Sequence, residues 1–131
     1  MRKILCLLVI IMLLATTPSF AEEGKESTGM DALRGTKNAI VFSENPENLG
    51  LKELSEALYW LGYIQAMSDT VVLICDTYKL PRPYEIPPEG FQNEQVVRVV
   101  HKYLSEHPEE LHQTARACIL TALCKIFPRK R

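Results

Sequence analysis

Hydrophobic and polar residues alternate along this chain with the period of helices, and that pattern divides it into segments. The clearest stretch is Phe91 to Pro128. Val96, Val99, Val100, Tyr103 and Leu104 recur at steps of three and four, which places them on one helical face. His107-Pro108 then punctuates the chain. Proline suits a first helical position, and Glu109 and Glu110 suit the positive end of a helix dipole, so a second helix is expected from Pro108. It carries Leu111, Ala115, Cys118, Ile119, Ala122 and Ile126 on one stripe. Leu120, Cys124 and Phe127 lie well away from that stripe. A helix apolar on two sides is central in its domain or covered by a second chain. Burial within the monomer, with the helix of Trp60 as cover, is the expectation, and a homodimer is the alternative.

Upstream, Leu51, Leu54, Leu58 and Leu61 recur at helical spacing, and Ile64, Met67, Val71 and Cys75 extend the apolar surface. One long helix is expected from Leu51 to Tyr78, with Gly62 as the point where another helix approaches closely. Leu80 to Gly90 holds four prolines and cannot be helical. It reads as a stiff connection, with Asn93 or Gln92 capping the helix after it. Before Leu51, Ser43 to Asn48 reads as a loop, and Met30, Ala32 and Leu33 predict a short helix after Thr28-Gly29. The fold class is therefore all-α: a small single-domain bundle of three major helices plus a short N-terminal one.

The N-terminus stands apart. Arg2 and Lys3 precede an unbroken apolar run from Ile4 to Ala15, and Ser19-Phe20-Ala21 supplies small residues for cleavage. This is the layout of a secretory signal peptide over residues 1–21. The run is shorter than the ~20 residues of a spanning helix, so no membrane anchor is expected after cleavage. Residues 22–29 read as a flexible mature N-terminus, residues 30–128 as the helical domain, and residues 129–131 as a basic tail. Removing Arg2 and Lys3 from fifteen basic and sixteen acidic residues leaves a net charge near −3, which gives nucleic-acid binding no support. Export to an oxidising compartment makes disulfide pairing of Cys75, Cys118 and Cys124 an expectation. Cys118 and Cys124 point in different directions on one helix, so Cys75 must join any intramolecular bridge, and Cys118 is its favoured partner.

Catalytic chemistry finds no foothold. His101, His107 and His112 lack the spacing of a zincin pair. There is no glycine-rich phosphate loop, nucleophile elbow or cysteine–histidine metal spacing. An enzyme is not expected, and neither is a metal or cofactor.

Gly62-Tyr63-Ile64-Gln65 with Asp69, then Pro88-Glu89-Gly90, Gln95 to Val100, Tyr103-Leu104, His107-Pro108-Glu109, Leu111-His112, Ala122-Leu123 and Phe127-Pro128, form an ordered set. The set resembles the Rap/Tai-type family of periplasmic immunity proteins linked to type VI secretion. The resemblance implies a protein that binds an amidase effector and shields peptidoglycan from it. The family's usual cysteines are replaced by Trp60 or Leu61, Ile86 and Arg129, and Ala66 stands where glycine is usual, so its disulfide layout does not carry over. The expected mode is occlusion of the partner's cleft. The candidate contact residues are Pro83, Tyr84, Glu85 and Ile86, with Tyr84 as an anchor and Glu85 as a polar contact. The alternative is a periplasmic stress or chaperone-like helical protein with no toxin partner.

Overall fold

The computed structural model describes residues 26–87 and 90–129. The expected signal peptide lies outside these residues, as do Pro88, Glu89, Lys130 and Arg131. Helix α1 spans Gly29–Glu44, α2 Leu51–Thr77, α3 Asn93–Glu106 and α4 Ala115–Ile126. Single 3₁₀ turns occupy Pro46–Asn48 and Pro108–Glu110. Among the described residues there is no strand, only an isolated bridge between Thr28 and Thr114. The all-α expectation holds.

The ranking of the helices differs from the expectation. The N-terminal helix has 16 residues, more than the 12 of α4, and it packs against each of the other three. Its buried face is Gly29, Ala32, Gly35, Thr36 and Ala39. Small side chains on that face let neighbouring helices approach closely, so α1 occupies the centre that the pattern assigned to the last helix. The closest approach is at Gly35, where a Cβ would fall on the Trp60 indole of α2. Thr36, also on the buried face, turns its hydroxyl back onto the Ala32 carbonyl at 2.8 Å, which satisfies it inside the helix.

The α1 start is tied down by the chain's other end. The Asp31 carboxylate accepts from the Thr28 N–H at 2.9 Å and from its hydroxyl at 3.0 Å. The Gly29 N–H donates to the Gln113 carbonyl at 2.9 Å and the Met30 N–H to the Leu111 carbonyl at 3.2 Å. The Ala115 N–H donates to the Ser27 carbonyl at 2.7 Å. These bonds absorb orphan donors of both helix starts. They also explain why α4 begins at Ala115 rather than at Pro108: the intervening turn supplies carbonyls to α1 and seats Leu111 in the core. Thr114 caps α4, accepting from the Ala117 N–H. Residues 26–29, expected to be flexible, are thus held by α4 and its preceding turn.

Helix α2 runs unbroken over 27 residues, through the β-branched pair Val71-Val72 and past Gly62. Gly62 is exposed and a Cβ there would meet nothing within 4 Å, so the expected close approach is at Gly35 instead. Helix α3 buries Val96, Val97, Val100, Tyr103 and Leu104. The second apolar side of α4 is covered within the monomer, though not by Trp60. Phe127 packs edge-on against Phe91 with ring centres 5.0 Å apart, Cys124 is half-buried against the core, and Leu120 remains 36% exposed.

Candidate partner-binding surface

The rigid connection after α2 is built from its first residue. Helix α2 ends in a Schellman-type turn: the Leu80 N–H donates to the Cys75 carbonyl at 2.8 Å, and Lys79 takes φ 55°. That left-handed position normally favours glycine, so the lysine is held there at a conformational cost. Arg82 then folds back and grips Asp76, its NH2 nitrogen lying 2.8 Å from each carboxylate oxygen. A planar guanidinium on a carboxylate fixes orientation as well as distance.

The middle of the connection is pinned from inside. Tyr84 is 1% exposed, and its hydroxyl lies 3.2 Å from the Ser68 hydroxyl of α2. Its ring lies 5.9 Å from that of Phe91. Burial pushes the Tyr84 phenol above its ordinary pKa, the Ser68 hydrogen bond opposes this, and nearby Cys124, Cys75 and Asp69 add to the rise. The Glu85 N–H donates to the Phe127 carbonyl at 2.9 Å, which staples the connection to the end of α4. Gly90 closes the connection in a turn at φ 79°, its N–H donating to Pro87.

Tyr84 is therefore a lock and not an exposed anchor, which corrects the role expected of it. Alternation explains the inversion: Pro83 and Glu85 point outward, Tyr84 inward, and Ile86 is half-buried against the core. The large apolar side chains that do reach solvent stand just before it. Tyr78 is 72% exposed, Leu80 52% and Ile74 45%. Pro81 and Pro83 adjoin them, and a depression of about 240 Å³ opens between Arg82, Tyr84, Glu85 and Arg129. Tyr78 and Leu80 were missed because a helix's last turn and the residues after it carry no periodic signal.

No disulfide joins Cys75, Cys118 and Cys124; all three thiols are free. Cys118 sits at the start of α4, where its thiol donates to the Glu110 carbonyl at 3.3 Å and a Cβ on Gly29 would touch it. Cys75 sits at the far end of α2 beside the Pro81 carbonyl. Cys75 and Cys124 both lie near Tyr84, whereas Cys118 lies against Gly29 at the start of α1. Burial pushes the thiols of Cys118 and Cys124 up, with Glu110 adding to the first, so neither is poised as a thiolate.

The histidines have structural roles or none. His101 Nδ1 lies 3.0 Å from the Thr36 hydroxyl, and burial lowers its pKa. The His107 ring stacks on Tyr103 at 4.0 Å, and its Nδ1 lies 2.8 Å from the Tyr103 carbonyl. His112 is exposed. Among the described residues no group of three or more His, Cys, Asp or Glu is placed to hold a metal ion.

The recurring motif positions divide between packing and surface. Ile64 is 1% exposed, Tyr63 packs edge-on against Trp60 with centres 5.4 Å apart, and Asp69 accepts from Gln65 at 2.8 Å. No curated protein and no solved structure matches this chain. A family model described as Rap1a immunity proteins matches residues 31–128, which takes in all of the described helices but the first two residues of α1, together with the pinned connection and the Tyr63–Asp69 cluster, and the chain accordingly belongs to the Rap1a immunity protein family.

Proposed function

We propose that this protein is exported to the periplasm, where it binds a peptidoglycan amidase effector and occludes its cleft, with no catalysis of its own. The observation that carries the reading is the combination at the α2 end. Tyr84 locks the proline-rich connection from within, while Tyr78 and Leu80 stand exposed beside it. A pre-formed ridge loses little conformational entropy on docking, so its apolar contacts convert efficiently into affinity. Tyr78 is the central anchor of the proposed surface, Leu80 and Pro83 extend it, and Arg82 and Glu85 form its polar rim.

The test uses the purified protein against a panel of type VI amidase effectors, by pull-down and by inhibition of peptidoglycan hydrolysis. An inhibited effector is expected, with Tyr78→Ala weakening inhibition at least tenfold, or about 1.4 kcal/mol. Tyr84→Phe removes only the inward hydroxyl and is expected to lower stability while leaving inhibition near normal. Failure to bind any amidase, or inhibition unaffected by Tyr78→Ala and Leu80→Ala together, would overturn the reading. Export is checked by intact mass: the periplasmic protein should begin at Glu22, and retention of Met1 in a membrane fraction would refute it.

A further inference from the structure

Helices α1 and α2 enclose a groove with polar walls. Arg34 and Asn38 stand one turn apart on α1, and Lys52 and Glu56 one turn apart on α2. Between them and Glu53 opens a depression of about 360 Å³, within the ~300–1,000 Å³ of ligand clefts. Its walls are tied together. The Asn38 amide nitrogen donates to Glu56 Oε2 at 3.0 Å, and Arg34 Nε lies 3.5 Å from the same oxygen. Arg34 Nη2 lies 3.2 Å from Asp31 Oδ1. Among the described residues these contacts use one Glu56 oxygen, the Asn38 nitrogen and two of the guanidinium nitrogens, so the groove keeps both donors and acceptors for a ligand.

An aromatic platform borders this groove. Lys52, Glu56, Tyr59 and Tyr63 recur at steps of four, three and four, so the α2 wall continues into two tyrosines. Their rings stack with centres 5.9 Å apart and an interplanar angle of 28°. Each also packs edge-on against the buried Trp60 indole at 5.4 Å. Tyr63 thus backs the Tyr59 ring on one side, and Tyr59 is nevertheless 54% exposed. A ring held by two others loses little freedom when a ligand settles on it.

We propose that the groove binds an uncharged sugar ring of an oligosaccharide, stacked on Tyr59 with its hydroxyls on Arg34, Asn38 and Glu56. The charges argue against an ion: Arg34 and Lys52 stand among Asp31, Glu53 and Glu56, and the closest of these already neutralise one another. The polar walls argue against a wholly apolar ligand, which would strip them of water without replacing its hydrogen bonds. A pyranose answers both features. Its C–H groups form an apolar face that suits an aromatic ring, and each of its hydroxyls both donates and accepts, as the walls require. Tyr59 follows Glu56 by three residues, which sets their Cβ atoms about 5–6 Å apart, a span that one sugar ring bridges. Tyr63, one turn further on, extends the platform along α2 and favours a chain of sugars over a single one. The site is independent of the effector surface: Tyr78 lies 22 residues beyond Glu56, about 33 Å along the helix axis.

Titration of the purified protein with chitotetraose, a neutral chain of N-acetylglucosamine, and separately with maltotetraose tests it. Trp60 is the single tryptophan and touches both tyrosines, so its fluorescence reports binding. Saturation-transfer NMR on the sugar protons checks the same event without the indole. Saturable binding of at least one of the two sugars is expected. Tyr59→Ala should weaken it about tenfold, whereas Tyr59→Phe, which keeps the ring, should stay within about threefold. Asn38→Ala, which leaves the aromatic platform alone, should weaken it about threefold or more. Tyr59 is half exposed, and an unchanged circular dichroism spectrum checks that each variant is folded. Absence of binding to both sugars by both readouts overturns the proposal, and so does binding undiminished in Tyr59→Ala or in Asn38→Ala. A sulfated heparin tetrasaccharide that binds more tightly than either neutral sugar and is released by salt would assign the groove to charge and equally overturn it.

Discussion

Replacing Gly35 by alanine probes the tightest contact in the bundle. An added Cβ would fall among Cδ1, Nε1 and Cγ of the Trp60 indole, far inside the ~3.5–4.0 Å of ordinary carbon contact. The indole cannot retreat freely, because Trp60 is 4% exposed and packs edge-on against Tyr59 and Tyr63, each with ring centres 5.4 Å away. Overpacking of this kind costs about 1–3 kcal/mol. Expelling the ring altogether would cost about 3–5 kcal/mol, the range for losing a buried tryptophan. Alanine's helix preference over glycine returns about 1 kcal/mol. The net expectation is a loss near 2 kcal/mol, and a domain of this size shifts its Tm by roughly 4–8 °C per kcal/mol. Trp60 is the chain's single tryptophan, so urea unfolding followed by its fluorescence reads the contact directly. Gly62→Ala is the matched control, measured in dilute protein: nothing lies within 4 Å of its Cβ, so a gain of about 0.5–1 kcal/mol is expected. A Gly35→Ala protein as stable as wild type, or the same sign of change at both glycines, would refute the assignment of α1 to the centre of the fold.

Lys79→Gly removes the cost of a left-handed lysine and should raise stability by about 1 kcal/mol, seen as a higher urea midpoint. His101 is held below its ordinary pKa by burial, opposed by a Leu33 backbone hydrogen bond, with Lys37 adding to the fall. As pH falls below about 6.5 the unfolded chain takes up this proton before the folded one does, so stability drops across that window; His101→Gln should flatten the drop in a series of urea titrations. The Asp31 carboxyl is held below its ordinary value, chiefly by the Thr28 N–H. Its contribution is present above the unfolded carboxylate value and lost as pH falls through the folded one. Asp31→Asn should therefore cost about 0.5–1 kcal/mol at neutral pH and progressively less in acid, again by urea unfolding.

The sequence by itself determined the helices whose apolar residues are large and periodic. The α3 pattern from Val96 to Leu104 fixed a helix and its buried face, because burial of bulky side chains at a 3.6-residue period leaves a readable signature; the α2 leucines fixed a helix but not its buried face, since Leu51 and Leu58 are exposed while Ala57, Trp60 and Ile64 are buried. The family resemblance was legible for the same reason: its ordered positions lie mostly on those helices and on the prolines and glycines between them. Tertiary structure alone decided the rest. Helix α1 became the centre through Gly29, Ala32, Gly35 and Thr36, whose smallness permits close approach but adds little to a hydrophobic pattern. The start of α4 was settled by carbonyls given to α1 across more than eighty residues, which no local capping rule anticipates. Tyr84 turned inward because Ser68 and Phe91 were there to receive it. The cysteines stay free, Cys118 against Gly29 at the start of α1 and Cys75 beside Pro81 after the end of α2, and sequence spacing along one helix says nothing about which part of another it meets. Local periodicity specifies that a segment is helical; which of its faces is buried, and by which neighbour, depends on side-chain size and backbone hydrogen bonding between segments distant in sequence.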